Sequence, residues 1–384
     1  MQEAQKIRVL VVDDSSVMRR IIATALRKNA ALEVAGYATN GLQAIDRVRE
    51  LKPDVVTLDI EMPELDGLSA LREIRKHNAT VPIIMFSTLT HRGAQATVMA
   101  LTAGATDYVC KPGSGSGSMD QAFLVLESEL IPKIIGLAAR ALRRKTASLA
   151  PLPAAAPVVG RALSMRSPAV SAWAPSQLPP LGVQRPVGAI VIGVSTGGPM
   201  ALKQLFGALS APLHVPIFIV QHMPATFTSL LAARLTAVGL VTVKEADHGE
   251  MALPGVAYMA PGGQHLALTG NASTRVLMTL SADAPRNSCR PSVDVLFESA
   301  AHIYGDALLA LILTGMGSDG LHGCQAVKAR SGQVIVQDEE SSVVWGMPGT
   351  VVQHGLADRV LPLDKIAEEL TFRTRPRRTT TALL

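Results

Sequence analysis

A serine set between glycines, Gly193-Val194-Ser195-Thr196-Gly197-Gly198-Pro199, closes an apolar run that begins at Val187. Read as a strand turning into a helix, this string holds the Ser195 hydroxyl out on a tight bend. The helix amino terminus and nearby backbone N–H groups can stabilise an oxyanion there. The string fits G-x-S-x-G, yet a Gly-rich strand-to-helix turn also serves as a phosphate cradle. This string contains no Gly-Lys-Ser and does not meet G-x-G-x-x-G, so it fails the usual nucleotide motifs. An activated serine needs a base. The next strand pattern, Val215 to Val220, ends in Gln221-His222-Met223-Pro224, which sets His222 at a strand carboxyl end. A later one, Leu308 to Leu313, runs into Thr314-Gly315-Met316-Gly317-Ser318-Asp319-Gly320 and puts Asp319 at the start of the following helix. Ser195, His222 and Asp319 can therefore converge along one sheet edge as nucleophile, base and orienting carboxylate. Taken singly, Asp319 also reads as a helix N-cap and His222 as a packed or exposed histidine. The chain order Ser, His, Asp differs from the α/β-hydrolase, subtilisin and chymotrypsin orders, which speaks against borrowing those folds.

A second group of reactive residues lies near the amino terminus. Asp13 and Asp14 follow one strand pattern, Asp59 a third, Ser87 a fourth and Lys111 a fifth. In an open α/β sheet, ligands bind at the carboxyl ends of the strands, so these side chains share one crevice. Three carboxylates there repel one another unless a cation sits among them. An oxygen-only donor set suits Mg²⁺, which keeps waters and recruits a phosphate. Lys111 and the Ser87 hydroxyl can hold phosphoryl oxygens while one carboxylate takes the phosphoryl group. The plainer reading of Asp13-Asp14 is a turn and a helix cap.

The elements that must position these groups follow from periodicity. Val9 to Val12 is a continuous apolar run, as in a buried parallel strand, and Val17, Ile21, Ala25 and Leu26 follow at helical spacing. Leu32 to Ala38, Asp54 to Asp59, Val81 to Ser87 and Ala105 to Val109 supply four further strands, giving five βα units and a doubly wound parallel sheet. Residues 113–118 repeat Gly-Ser, a helical pattern resumes near Met119, and it fades in Arg143-Arg144-Lys145. From Thr146 to Pro186 there are eight prolines and no Asp or Glu, an interdomain linker in which Trp173 is a lone large apolar residue with the means to dock. A second α/β alternation begins at Val187, with strand patterns at Val187 to Val194, Val215 to Gln221, Val241 to Ala246, Val256 to Ala260, Ala307 to Leu313 and Gln333 to Gln337. A hairpin-like pair, His265–Thr269 and Arg275–Ser281, interrupts it, and the domain is expected to end near Leu370. The expected divisions are 1–125 for the first domain, 126–186 for a helical extension and Pro/Ala-rich linker, 187–370 for the second domain and 371–384 for a basic, polar tail.

Bulk composition agrees with two domains. The chain has 384 residues, nearly half of them apolar but only 3% aromatic, so its cores are built from aliphatic side chains. The net charge of +5 is scattered, with no stripe or aromatic platform for nucleic acid. Cys110, Cys289 and Cys324 are far apart and lack CxxC spacing, which argues against a disulfide framework or cysteine-rich zinc site and suits a reducing cytosol. No signal peptide or run of about 18 apolar residues is present, so a cytoplasmic protein is expected.

The first segment resembles the receiver domain of bacterial response regulators. The matching strings are Val11-Val12-Asp13-Asp14-Ser15, Leu58-Asp59-Ile60-Glu61-Met62-Pro63, Asp66-Gly67, Phe86-Ser87 and Lys111-Pro112. That resemblance implies Asp59 as phospho-acceptor, Mg²⁺ held by Asp13, Asp14 and Asp59, and phosphoryl sensing by Ser87 and Lys111. It also puts Tyr108 at the aromatic switch position. The second domain resembles the catalytic domain of the chemotaxis protein-glutamate methylesterases. It does so through Gly193 to Pro199, Gln221-His222-Met223-Pro224, Ala260-Pro261-Gly262, Arg290 to Phe297, Leu313 to Gly320, Gln337-Asp338-Glu339 and Trp345-Gly346-Met347-Pro348. The resemblance implies a triad of Ser195, His222 and Asp319 with oxyanion donors near Thr196 and Met316, acting on methylated glutamates of chemoreceptor helices and deamidating specific glutamines. It implies a histidine kinase as phosphodonor, no cofactor in the esterase step and only peripheral association with membrane receptors. Two other readings stay open at this stage, a regulator whose output domain only binds a partner or DNA, and a general small-molecule hydrolase.

Overall fold

The structure is a computed structural model that describes residues 6–111, 123–124, 126–139 and 187–375. The Gly-Ser stretch, the segment 146–186 with Trp173, and the tail beyond 375 lie outside the described residues.

The amino-terminal sheet contains β1 (Ile7–Val12), β2 (Leu32–Ala38), β3 (Val55–Asp59), β4 (Ile83–Ser87) and β5 (Asp107–Cys110), parallel in the order β2-β1-β3-β4-β5. Between them run α1 (Ser16–Arg27), α2 (Gly41–Leu51), α3 (Gly67–His77) and α4 (His91–Thr102). The central strands read as unbroken apolar runs because helices cover both faces, and Val9, Leu10, Val11 and Val12 are all buried. Each helix begins on a side-chain cap, with Ser15, Asn40, Asp66 and Thr90 accepting from the N–H three residues on. The strand order reverses between β1 and β3, so Asp13 and Asp59 flank the crevice that this topology opens. A π-helical turn, Leu126–Leu130, continues as helix over 131–139, together α5. Pro132 has no N–H for the carbonyl of Ser128, which suits a widened turn just before it. Leu130, Ile134 and Leu137 of this helix pack into one cluster with Ile84, Phe86 and Val109.

The second sheet is entirely parallel and has seven strands. They are β6 (Ala189–Val194), β7 (Ile217–Gln221), β8 (Thr242–Glu245), β9 (Val256–Met259), β12 (Leu308–Ile312), β13 (Gln333–Gln337) and β14 (Arg359–Leu361), in the order β14-β13-β12-β6-β7-β9-β8. β10 (His265–Asn271) and β11 (Arg275–Ser281) form the antiparallel hairpin expected from the sequence. Alternation along β6 divides the core. Ile190, Ile192 and Val194 face α6 (Gly198–Gly207), α7 (Ala225–Thr236) and α11 (Leu363–Arg373). Ala189 and Val191 face the hairpin, α8 (Val293–Tyr304) and α9 (Leu321–Ala329), with α10 (Met347–Gln353) in the same cluster. Some strand starts differ from the apolar runs: β1 begins earlier, at Ile7, and β4 later, at Ile83, because Pro82 gives no N–H to a ladder. β14 is absent from the sequence reading, since it has three residues and none is buried. The last helix runs beyond the expected end at 370, because Thr371 is buried and Arg373 pairs with Glu369 at 2.6 Å.

The two domains touch. α4 packs against α6 and α7, and Lys203 Nζ donates to the Thr102 carbonyl at 2.7 Å. Tyr108 stacks on Phe227 with ring centroids 5.0 Å apart, a contact adding about 0.5–1.5 kcal/mol beyond area burial. The joint is not sealed. A cavity of about 1050 Å³ between the domains is lined by Arg75, Gly104 and Leu137 on one side and Gly197, Met200 and Val343 on the other. No helix among the described residues is long and apolar enough to cross a membrane.

Candidate active site

Ser195 occupies the bend between β6 and α6, with β7 on one side of its strand and β12 on the other. Its N–H donates to the Thr314 carbonyl at 3.0 Å, which ties the bend to the end of β12. Two glycines make the bend possible. Gly197 has φ 78°, and a Cβ there would lie 2.6 Å from the Val343 side chain; a Cβ at Gly315 would lie 2.9 Å from Ser195 Cβ. His222 is the neighbouring strand-end residue, following Gln221, which is paired with Val194 in the β6–β7 register. The His222 N–H donates to the Val194 carbonyl at 3.3 Å, and Gln221 Nε2 donates to the Ser195 carbonyl at 3.1 Å.

Asp319 arrives from the loop after β12, and its Oδ2 lies 2.9 Å from His222 Nε2. It does not cap the helix that follows, whose cap is Gly320. Its carboxylate instead meets the amino end of α8. The Val293 N–H donates to it at 2.7 Å, Ser292 Oγ at 2.8 Å and Asn287 Nδ2 at 3.1 Å. Burial opposes the anion, but the His222 bond and charge, then Val293 and Ser292, outweigh it and bring Asp319 down to about 2. For His222, burial favours the neutral ring, yet the bonds to Asp319 and Cys289 and their charges prevail and raise it to about 9. Its Nδ1 faces Cys289 Sγ at 3.8 Å. The Ser195 hydroxyl makes no hydrogen bond among the described residues, so the structure joins His222 to Asp319 and leaves Ser195 beside them. Thr196 is buried and Met316 half-buried on the loops flanking Ser195, and neither N–H is hydrogen-bonded among the described residues.

The sequence-predicted carboxylates also meet. Donor oxygens of Asp13, Asp14 and Asp59 lie within 4.8 Å of one another. Asp13 and Asp59 are buried and Asp14 is exposed. Lys111 Nζ bridges the pair, 3.1 Å from Asp13 and 2.7 Å from Asp59. Burial raises Asp59 to about 6 against the opposing pull of Lys111, with Asp13 adding to the rise. A buried, oxygen-only cluster of this charge fits a hard cation such as Mg²⁺. Ser87 Oγ lies 3.1 Å from the Gly93 carbonyl and 2.5 Å from Thr97 Oγ1, so it is tied to the first turns of α4. Tyr108 is buried at the domain joint, against Phe227.

Several supporting residues were not singled out from the sequence. Ser292 and Asn287 hold Asp319, Gln221 links the strand ends, and Gln337 Oε1 accepts the Thr314 N–H at 2.8 Å. Ser292 carried a local signal, as a serine immediately before a helical pattern, and Gln221, Ser292 and Gln337 stand in the strings that carry the resemblance, whereas Asn287 lies outside them.

Comparison with known proteins bears on both sites. Residues 190–370 match the CheB methylesterase family and residues 9–120 the response regulator receiver domain family. A protein-glutamate methylesterase/protein-glutamine glutaminase of Trichodesmium erythraeum is 44% identical over 368 residues, covering 96% of this chain and 99% of the relative. Its counterpart from a Nocardioides species is 46% identical, covering 96% and 95%. The crystal structure of the Thermotoga maritima CheB methylesterase catalytic domain has 45% sequence identity and a TM-score of 0.47, covering 48% of this chain and 98% of that one. With relatives this similar along almost their whole length, the chain belongs to the protein-glutamate methylesterase/protein-glutamine glutaminase family, a family of hydrolases, with a receiver domain joined to the catalytic one.

Proposed function

We propose that the chain is a phosphorylation-activated serine esterase that hydrolyses glutamate γ-methyl esters on the cytoplasmic helices of chemoreceptors, releases methanol, and deamidates specific receptor glutamines. The observation that carries this reading is the His222–Asp319 pair held at the strand ends directly beside Ser195. The Ser195 hydroxyl attacks the γ-carbonyl while His222 takes its proton. Because Asp319 holds Nε2, Nδ1 is the nitrogen left for that transfer. The N–H groups of Thr196 and Met316 meet the oxyanion. His222 then returns the proton to the departing methoxide, or to the departing amine when the substrate is an amide. Water, deprotonated by His222, hydrolyses the acyl-enzyme and frees Ser195. No cofactor is needed in these steps.

In the receiver, Asp13, Asp14 and Asp59 would hold Mg²⁺, which when bound offsets the charge of an incoming phosphoryl group. Asp59 is the acceptor, and Lys111 and Ser87 bind the phosphoryl oxygens. A histidine kinase is the phosphodonor, and association with membrane receptors is through protein only, in the cytoplasm. Contacts from the receiver and from its helical extension reach the catalytic domain directly. A Cβ on Gly136 of α5 would lie 2.8 Å from Met316 Cε, and α4 rests on the two helices that leave Ser195 and His222. A receiver seated there narrows access for a helical protein substrate, and phosphorylation loosens it. Tenfold activation requires only about 1.4 kcal/mol of differential stabilisation.

The test is methanol release from methylated receptor with and without acetyl phosphate and Mg²⁺. Release that rises with the phosphodonor is expected; hydrolysis of free methyl esters but not of receptor would replace this reading with a small-molecule hydrolase.

The pH dependence follows from His222. A base must be neutral, so kcat/KM should climb about tenfold per unit below its folded-state value and level off near pH 9. The same shift acts on stability with a definite sign. A histidine raised above its unfolded value contributes fully below pH 6.5, and that contribution fades as pH rises through about 9. Activity and stability should therefore trade against each other over this window, and a kcat/KM flat from pH 7 to 9 would contradict the assignment.

A further inference from the structure

The esterase cycle uses a hydroxyl, an imidazole and a carboxylate, and it has no task for the thiol that stands against His222. Cys289 Sγ lies 3.8 Å from His222 Nδ1, while Asp319 holds the other ring nitrogen at 2.9 Å. Donor atoms of His222, Cys289 and Asp319 all fall within 4.8 Å of one another. Cys289 is fixed in position by its loop. Its N–H and carbonyl pair with the carbonyl and N–H of Arg286 at 2.8 and 3.0 Å. Arg286 in turn makes a two-pronged ion pair with Glu298 at 2.5 and 2.6 Å, and Arg290 donates to the Ala282 carbonyl at 2.8 Å. Both Cys289 and His222 are half-buried, so solvent and small solutes reach them.

We propose that His222 Nδ1 and Cys289 Sγ form a binding site for a soft divalent cation of the zinc class, and that filling it switches the esterase off. Imidazole and thiolate are the donors zinc prefers, as carboxylates are for Mg²⁺, so the two domains select different cations. A tetrahedral zinc about 2.0 Å from nitrogen and about 2.3 Å from sulfur sets those donors about 3.5 Å apart. The observed 3.8 Å needs only a small closure. Asp319 on Nε2 completes the carboxylate–histidine arrangement that orients a metal-binding ring and fixes its proton on the far nitrogen. Binding releases to solvent the thiol proton and, below about pH 9, the proton on Nδ1; the cation takes the Nδ1 lone pair so freed, and waters fill the remaining positions. That lone pair is the one the esterase needs, so the switching half of the proposal rests on the reading of His222 as base, whereas the binding half does not. Cys110, raised to about 11 by burial, and Cys324, pushed further up by burial, are poor competitors.

The experiment uses the full-length chain in excess Mg²⁺, which keeps the receiver carboxylates occupied. Co²⁺ is titrated as a spectroscopic probe, and Zn²⁺ is titrated against methanol release. A thiolate-to-cobalt charge-transfer band is expected in the wild type and should vanish in Cys289→Ala and Cys289→Ser, the latter nearly isosteric. Zinc inhibition, read relative to each variant's own metal-free rate and reversed by a chelator, should weaken at least about tenfold in both. Absence of the band from the wild type, or its persistence in both variants, overturns the site. A band that depends on Cys289 while zinc leaves the rate untouched keeps the site and overturns the reading of Nδ1 as the working base.

Discussion

Replacing Ser195 by alanine is expected to lower methanol release by a factor of at least about 10³ while leaving the fold intact. The Ser195 hydroxyl holds nothing in place among the described residues. Its backbone does the structural work, through the bonds to Thr314 and Gln221, and alanine keeps both. His222→Ala should cost about as much, because a nucleophile and its base fail together. Asp319 is the less clean target. Its carboxylate accepts from Ser292, Val293 and Asn287 at the head of α8, so truncating it strands buried donors and confounds loss of chemistry with loss of stability. Circular dichroism and thermal midpoint should match the wild type for Ser195→Ala. A variant that keeps a substantial fraction of the activity, or an acyl group trapped by rapid quench on another residue, would show that Ser195 is not the nucleophile.

The positions of these residues were legible where a topological rule converts chain order into space. Both sheets are parallel, so every reactive residue just after a strand lands on one edge; this brought Ser195 beside His222 and Asp13 beside Asp59. The loops gave less. Asp319 read as a carboxylate reaching His222 from the start of the following helix, but the donors that hold it at the head of α8, 26 residues earlier in the chain, were not legible. Asn287 and Cys289 reach the site from a loop with no periodicity, so nothing in their spacing announced them. The receiver resemblance puts Tyr108 at the aromatic switch position, but its partner was not legible, since Phe227 lies on α7 of the other domain and no local pattern encodes a contact between domains. Strand β14 escaped because an edge strand of three half-buried residues lacks the apolar run that marks its neighbours.

Asp59→Asn should abolish both the base-labile acyl phosphate formed with Mg²⁺ and acetyl phosphate and the activation of methanol release by that donor. An amide is no nucleophile here. Asp13 keeps its own contacts in the variant, with Oδ1 accepting from the Ser15 N–H at 2.9 Å and Oδ2 3.1 Å from Lys111. The variant should fold, since burial already disfavours the Asp59 anion and the amide removes it from a crowded cluster. The second loss follows from how the phosphoryl group is read. Ser87 is bonded to Gly93 and Thr97 on α4, and α4 is the element seated on α6 and α7. A phosphoryl group on Asp59 that draws the Ser87 hydroxyl toward itself withdraws it from α4. That weakens the seat which Lys203 and the Tyr108–Phe227 stack hold from the other domain. Without phosphorylation nothing pulls on Ser87, and methanol release should stay at the wild-type basal rate whatever the donor concentration. Labelling that survives in Asp59→Asn would move the acceptor to another residue. Labelling lost with activation retained would separate the two domains' chemistry and overturn control through this joint.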